Sequence, residues 1–406
     1  MTTATARNLE LYPWFKFFQN LLFWQAIWFL FFQKTLSAAD AILLYAVYDI
    51  ATTLFEVPSG YMSDRLGRRA TLMASSVAGL LGMVVFTIGD TFGAFVLGQV
   101  LLGASIAFVS GTDSAFLYES LVAEDRKDEI EAQELRAWRF TFSGLACSAI
   151  VGGLMAIWAF ELAFAATAVA FAAAVYITWQ CVEPPHTGTK IPQGAEWLRF
   201  QSLGAAFTKP VLIWLFALST LMYGFSHIPF VFGQPFILAA LDQIGLAGEA
   251  PMVSGVVTAI MMLISVGTSM LAPRLRKRLG LPFLLCAAFM MQILLAAVLA
   301  LTSSVVAIAF LFLRMVPDSL SRPFILARIQ PLLSDNSRAT YLSLRSLAGR
   351  VIFAASLWAA SLSTSEVAQM AHSEIRTVLT WYVVSGTVCF IGLALLARRA
   401  SVDDTV

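Results

Sequence analysis

The sequence predicts an all-α polytopic membrane protein with twelve transmembrane helices arranged as two halves of six. Three observations carry that expectation. The 406-residue chain is 59% hydrophobic and only 13% charged, with a mean hydropathy of +0.79. A soluble fold cannot hide that much apolar surface, whereas a chain crossing a bilayer at about 20 apolar residues per span sets it against lipid. Twelve apolar stretches of spanning length follow one another, and Lys and Arg gather in alternate short loops. With 26 basic and 25 acidic residues, no global field argues for nucleic acid or an acidic substrate.

The stretches run over about 13–34, 39–62, 71–89, 92–118, 138–159, 161–181, 209–239, 252–273, 281–302, 304–330, 339–362 and 377–397. Met1 to Leu11 holds a single Arg7 and no small-residue cleavage site, so the amino end is expected to be a retained first helix rather than a removed signal peptide. Gly89-Asp90, Thr302 to Ser304 and Ser361 to Glu366 punctuate the breaks. One side collects Arg65, Arg68, Arg69, Arg126, Lys127, Arg136, Lys190, Arg199, Arg274, Arg276, Lys277, Arg278, Arg338, Arg398 and Arg399, against Lys34 and Arg376 on the other. This asymmetry and the even helix number predict cytoplasmic termini in a multi-pass inner-membrane protein. The longest loop divides the chain into halves 1–181 and 209–406 with a linker at 182–208. That linker opens on Glu183-Pro184-Pro185 and ends in an amphipathic stretch, Trp197 to Phe207, suited to the interface.

Charges inside the apolar stretches are the chemical signal. Asp49, Glu56, Asp113, Arg314, Asp318 and Arg350 would each cost about 2.5–3.5 kcal/mol against lipid, so they are expected to face a cavity or one another. Asp49 and Glu56, seven apart, share one face of the second helix with Tyr45. Buried carboxylates suit a proton carrier, which makes Asp49, then Glu56 and Asp113, the proton-coupling candidates. Arg314, Asp318 and Arg322 step by four, a spacing that allows two intrahelical ion pairs. Arg314 and Arg350 suit bidentate contact with a substrate carboxylate or phosphate; salt bridges between the halves are the alternative. Softer cavity candidates are Asn20 and Trp24 one turn apart on the first span, and Tyr223, His227 and Gln234 on one face of the seventh. Pro229 and Pro235 are expected to break that seventh helix, as transport-site helices are commonly broken. The aromatic run Phe15 to Phe32 is expected to face mostly lipid.

The loop after the second span reads Gly60-Tyr-Met-Ser-Asp64-Arg65-Leu-Gly67-Arg68-Arg69, and a basic, Gly-bearing turn, Arg274 to Gly280, recurs after the eighth. The first of these closely resembles motif A of the major facilitator superfamily. Helix count, central loop, the second copy and Ser337-Arg338-Ala339-Thr340 extend the resemblance over essentially the whole chain. The resemblance implies a cytoplasmic gate of Gly60, Asp64, Arg65, Gly67, Arg68 and Arg69, with Asp64 facing the amino end of helix 11 and Arg68 paired with Glu119 at the end of helix 4. Two departures stand out. Drug/proton antiporters of the superfamily carry an Arg in helix 4 where this chain has Gln99, and a Gly-Pro pair in helix 5 where it has Ser148-Ala149.

No GxxxxGK[ST], HExxH or GxSxG motif supports ATP-driven transport or a membrane hydrolase. The four cysteines form no CxxC pair and no metal-spaced cluster, so no cofactor or metal is expected. The sequence reading is therefore not an enzyme but a monomeric secondary transporter of a small organic solute. Proton-coupled efflux of an amphipathic compound is the first expectation. Proton-coupled uptake of an anionic or zwitterionic solute is the alternative, and a non-transporting receptor or lipid-handling protein a third.

Overall fold

In the computed structural model, residues 4–185, 207–329, 332–333, 335–362, 372–397, 400 and 402 are described. Among them the secondary structure is helical, with no strand. Among the described residues, nine helices are long and apolar enough to cross a membrane: Ala38–Glu56, Arg68–Ile88, Phe92–Ala123, Arg139–Trp158, Phe160–Gln180, Pro210–Asp242, Ala247–Leu279, Leu281–Leu301 and His372–Ala397. The expected linker helix at 197–207 lies almost wholly outside the described residues.

The chain forms two compact units, Met1–Thr189 with Gly248–Ala259, and Lys190–Ala247 with Ile260–Val406. In unit 1 the helices are α1 (Ala4–Gln19), α2 (Trp28–Gln33), α3 (Ala38–Leu66), α4 (Arg68–Ile88), α5 (Phe92–Val109), α6 (Thr112–Ala123), α7 (Ile130–Trp158) and α8 (Phe160–Gln180). The antiparallel neighbours α3, α4 and α5 pack together, α4 lies on α8, and α1 lies on α7 and α8. Unit 2 holds α9 (Pro210–Asp242), most of α10 (Ala250–Leu279), α11 (Leu281–Leu301), α12 (Ile308–Leu311), α13 (Val316–Ile329), α14 (Asp335–Ser361) and α15 (His372–Ala397), with α11 against α15 and α9 against α14.

Three expected spans are interrupted. The first stops at Gln19 and resumes at Trp28, the fourth breaks at Ser110-Gly111, where Gly111 adopts φ +77, and the tenth turns over residues 312–315 before α13 begins. Irregular backbone inside a membrane needs partners within the protein, and residues 20–27 have them. Short turns join Gln25 N–H to Leu22 and Ile27 N–H to Trp24. Asn20 donates its side-chain amide to the Lys16 carbonyl at 2.7 Å, and Phe23 N–H donates to the Thr167 hydroxyl at 3.1 Å. Helix α7 approaches this segment through glycines: a Cβ on Gly144 would meet the Phe17 carbonyl at 2.9 Å, and one on Gly152 would overlap the Phe23 carbonyl outright.

Several expectations are corrected. Asn20 and Trp24 do not sit one helical turn apart, because the helix has already ended; Trp24 instead stacks on Phe164, ring centroids 6.4 Å apart. The aromatic run does not face mostly lipid: Phe15, Trp28, Phe29, Phe31 and Phe32 are buried, the last two against Phe95 and, respectively, Phe164 and Phe86. Flat rings fill the space that the interrupted helix leaves beside its neighbours. Pro229 and Pro235 do not break α9, which runs unbroken from Pro210 to Asp242. Both rings are buried, and with no water to take up opened backbone groups the surrounding helical bonds are retained.

Gly152→Ala is therefore expected to lower the stability of the purified protein by about 1–3 kcal/mol through overpacking against a backbone carbonyl. Gly267→Ala, where an added Cβ meets nothing within 4 Å, serves as the neutral comparison in thermal unfolding.

Candidate functional site

In unit 1 the charged residues of the spans lie along α3, at the break before α6 and at the start of α4. Asp49 is fully buried on α3, one turn beyond Tyr45, which packs at 5.3 Å on Trp28. Thr52, also buried, donates to the Tyr48 carbonyl, and Gly103 of α5 lets that helix close on α3: a Cβ there would meet Thr52 N at 2.9 Å. Gln99 is buried one turn earlier on α5, and Glu56 is half-buried one turn before Ser59, whose hydroxyl donates to its carbonyl. Asp113 pairs with Lys16 at 2.7 Å.

The loop between α3 and α4 forms a second cluster. Gly67 takes φ +104, a conformation that suits glycine. The Arg68 guanidinium reaches Glu119 at 3.1 and 3.2 Å and Ser63 at 2.6 Å, and Thr112 donates to that serine. Glu119 is 7% exposed and Arg68 17%, so the pair is substantially desolvated. Arg65 is exposed, whereas Arg69 turns back to donate to the carbonyls of Thr178 and Trp179 at the end of α8. The surroundings of Gly60 and the side chain of Asp64 lie outside the described residues.

Glu183 completes this cluster. Its two carboxylate oxygens accept from the backbone N–H groups of Arg68 and Arg69 at 2.5 and 2.9 Å, an anion on a helix N-terminus. A Cβ on Gly67 would strike that carboxylate. Asn8 fixes the preceding residue, exchanging hydrogen bonds with both the N–H and the carbonyl of Val182. In the loop after α6, Arg126 grips Glu129 with two 2.7 Å bonds that hold its carboxyl below the usual range.

In unit 2 one face of α9 carries Tyr223, His227 and Phe230. The Arg350 guanidinium lies 5.9 Å from the Tyr223 ring and that of Arg314 lies 4.9 Å from the Phe230 ring. Such contacts set a cation against the face of an aromatic ring. Arg350 Nε also reaches Ser346, 3.5 Å away and one turn before it. The His227 ring sits 4.3 Å from that of Tyr223 and 5.5 Å from Phe353. Its Nδ1 lies 2.7 Å from the Tyr223 carbonyl, an acceptor only, which places the proton on Nδ1 and makes Nε2 the acceptor nitrogen. Gln234 is buried two turns further on.

The helical ladder of Arg314, Asp318 and Arg322 is corrected. Arg314 falls in the turn before α13, so only Asp318 and Arg322 share a helix, paired at 2.8 Å. Asp318 is 6% exposed and its other oxygen accepts from Gln292 at 3.3 Å. The next residue, Ser319, bonds Ser265 of α10 at 2.7 Å.

Sequence reasoning missed Lys16, Glu183 and Gln292. Lys16 had a signal, a basic residue within the first apolar stretch. Glu183 had none, because its partners lie more than a hundred residues away.

The family model described as Major Facilitator Superfamily matches residues 14–357. The chain belongs to this superfamily. It is a multi-pass membrane transporter, and its fold is that of solved transporters of low sequence identity. The nucleoside transporter NupG is 14% identical, with 97% of this chain and 99% of that one covered at a TM-score of 0.76. A D-xylose–proton symporter is 14% identical over 99% of each chain at 0.73. The peptide-transporter-family protein PepTSo is 14% identical over 98% and 99% at 0.75. No curated protein matches the chain by sequence.

Glu119→Gln and Arg68→Gln are each expected to destabilise the protein, because each strands a largely buried charge. The double variant should lose less than the sum, with a coupling of about 0.5–3 kcal/mol in a double-mutant cycle read by thermal unfolding.

Proposed function

We propose that this transporter moves a small amphipathic organic anion by alternating access, coupled to protons, in the direction of efflux. The observation that carries the reading is the pair of arginines set over aromatic rings of one helix, Arg350 on Tyr223 and Arg314 on Phe230. A guanidinium so held offers a planar fork to a carboxylate or phosphate, and the rings of Tyr223, His227 and Phe353 beside it suit an aromatic or apolar body. Across the apolar stretches of the second half, Asp318 is the acidic counterweight to Arg314, Arg322, Arg345 and Arg350. That balance favours an anion over a cationic drug.

Asp49 is assigned the proton carrier's role, with Glu56 on the same helix, because it is a carboxylate fully buried within a span. Asn20, Trp24, Tyr45, Gln234 and Asp318 are assigned to the solute path. Gly60, Asp64, Arg65, Gly67, Arg68, Arg69 and Glu119 form the cytoplasmic gate, with both termini on that side of the inner membrane. Uptake by symport is the second reading, favoured by the same buried arginines.

Purified protein in liposomes decides between them, with labelled phenyl phosphate as a poorly permeant aromatic anion. Arg314→Gln and Arg350→Gln should each cut its flux by about tenfold or more, the loss of one charge-assisted bidentate contact, while an aromatic quaternary cation is moved no better by wild type than by either variant. Phenyl phosphate expelled against a proton gradient assigns antiport; accumulation with the protons assigns symport. Undiminished anion flux in both arginine variants would contradict the reading.

A further inference from the structure

We propose that Lys16 is an anion contact in unit 1, held by Asp113 when no cargo is present and given over to the cargo's carboxylate or phosphate when one enters. The inference rests on the reading that the cargo is an anion. The two residues meet where two interrupted spans end. Lys16 lies in the last turn of α1, just before the irregular residues 20–27, and Asp113 lies in the first turn of α6, just after the break at Ser110-Gly111. A cation at a helix C-terminus and an anion at a helix N-terminus are each favourably placed against the backbone dipoles. This resembles the discontinuous helices that present polar ends to a transported solute.

Three observations mark the corner as a place for a ligand rather than a sealed pin. First, both oxygens of Asp113 are engaged, whereas Lys16 has one side-chain partner among the described residues. One carboxylate oxygen takes the Lys16 ammonium at 2.7 Å and the other takes the Ser114 N–H at 2.8 Å. An ammonium has three donors, and among the described residues Asp113 is the one side chain bonded to that of Lys16. Second, Tyr12, one turn before Lys16 and 2% exposed, holds its buried hydroxyl beside Ser114, the residue that follows Asp113. Third, the corner is open: Lys16 and Asp113 keep 20% and 13% of their side-chain surface, Ser114 is exposed, and a Cβ on Gly111 would meet nothing within 4 Å. A charge pair with accessible surface inside a span cannot border lipid cheaply, so that surface faces a solvated path.

Asp113 thus acts as a built-in competitor. An anionic group that displaces it gains the ammonium, with Tyr12 one helical turn away on α1. Such a contact predicts opposite effects for the two partners, whereas a structural pin predicts the same effect for both.

The test is the Michaelis constant for phenyl phosphate uptake by the full chain in liposomes. Lys16→Gln should raise it by about tenfold, Asp113→Asn should lower it several-fold, and Lys16→Arg should stay near wild type. Tyr12→Phe should raise it with no change in thermal unfolding temperature, which keeps the inference testable if Asp113→Asn fails to fold. Saturable wild-type uptake that Arg350→Gln abolishes, with Lys16→Gln and Asp113→Asn moving the constant in the same direction, or with Tyr12→Phe and Lys16→Gln both silent, would overturn the role of Lys16 and leave the anion reading intact. No saturable uptake by wild type would overturn both.

Discussion

A hydrocarbon layer offers no partner to an open backbone group or a charge, and that constraint governs where this chain is allowed to be irregular. Each interruption is tied down from within its own unit. The gap at 20–27 is held by Asn20, by the Thr167 hydroxyl and by the close approach of Gly144 and Gly152. The break at Ser110-Gly111 sits between buried stretches of α5 and α6 and beside the Lys16–Asp113 pair. The turn at 312–315 carries Arg314 against Phe230. Lys16, Asp113 and Arg314 thus lie at the interruptions, whereas Asp49, Glu56 and Arg350 sit within unbroken helices.

Helix ends also organise the loop between α3 and α4. The N-terminus of α4 holds the Glu183 carboxylate, and the C-terminus of α8 holds the Arg69 guanidinium. Arg68 links the same turn to Glu119 on α6. The first residues after the sixth span are thereby bonded to the loop between α3 and α4. In unit 2 the comparable fixed points are aromatic: the rings of α9 set the orientation of two guanidinium groups that a purely ionic contact would leave free to swing.

The unbroken helices were legible because the bilayer imposes their length. Apolar runs at 71–89 and 281–302 became Arg68–Ile88 and Leu281–Leu301. The interruptions were not. Residues 20–27 contain neither Gly nor Pro, and their break is made by Thr167 and Gly152 from other helices. Conversely Pro229 and Pro235 announce a break that packing suppresses. Pro317, in the first turn of α13, was a readable start signal for that helix. Within the site, pairs one helical turn apart, such as Asp318 with Arg322 and Tyr223 with His227, follow from spacing alone. Lys16 with Asp113, 97 residues apart, requires the fold.

The central claim is that the interrupted spans are where an anionic cargo meets the protein. It is tested most directly by labelling single cysteines, Asn20→Cys, Ser110→Cys and Met315→Cys, in a background whose four native cysteines are replaced by serine, with a membrane-impermeant thiol reagent. The account predicts that all three positions react in membranes, that phenyl phosphate slows the reaction, and that Ser76→Cys, fully buried within unbroken α4, stays unreactive. Positions that remain unlabelled, or label at a rate indifferent to the anion, would contradict it.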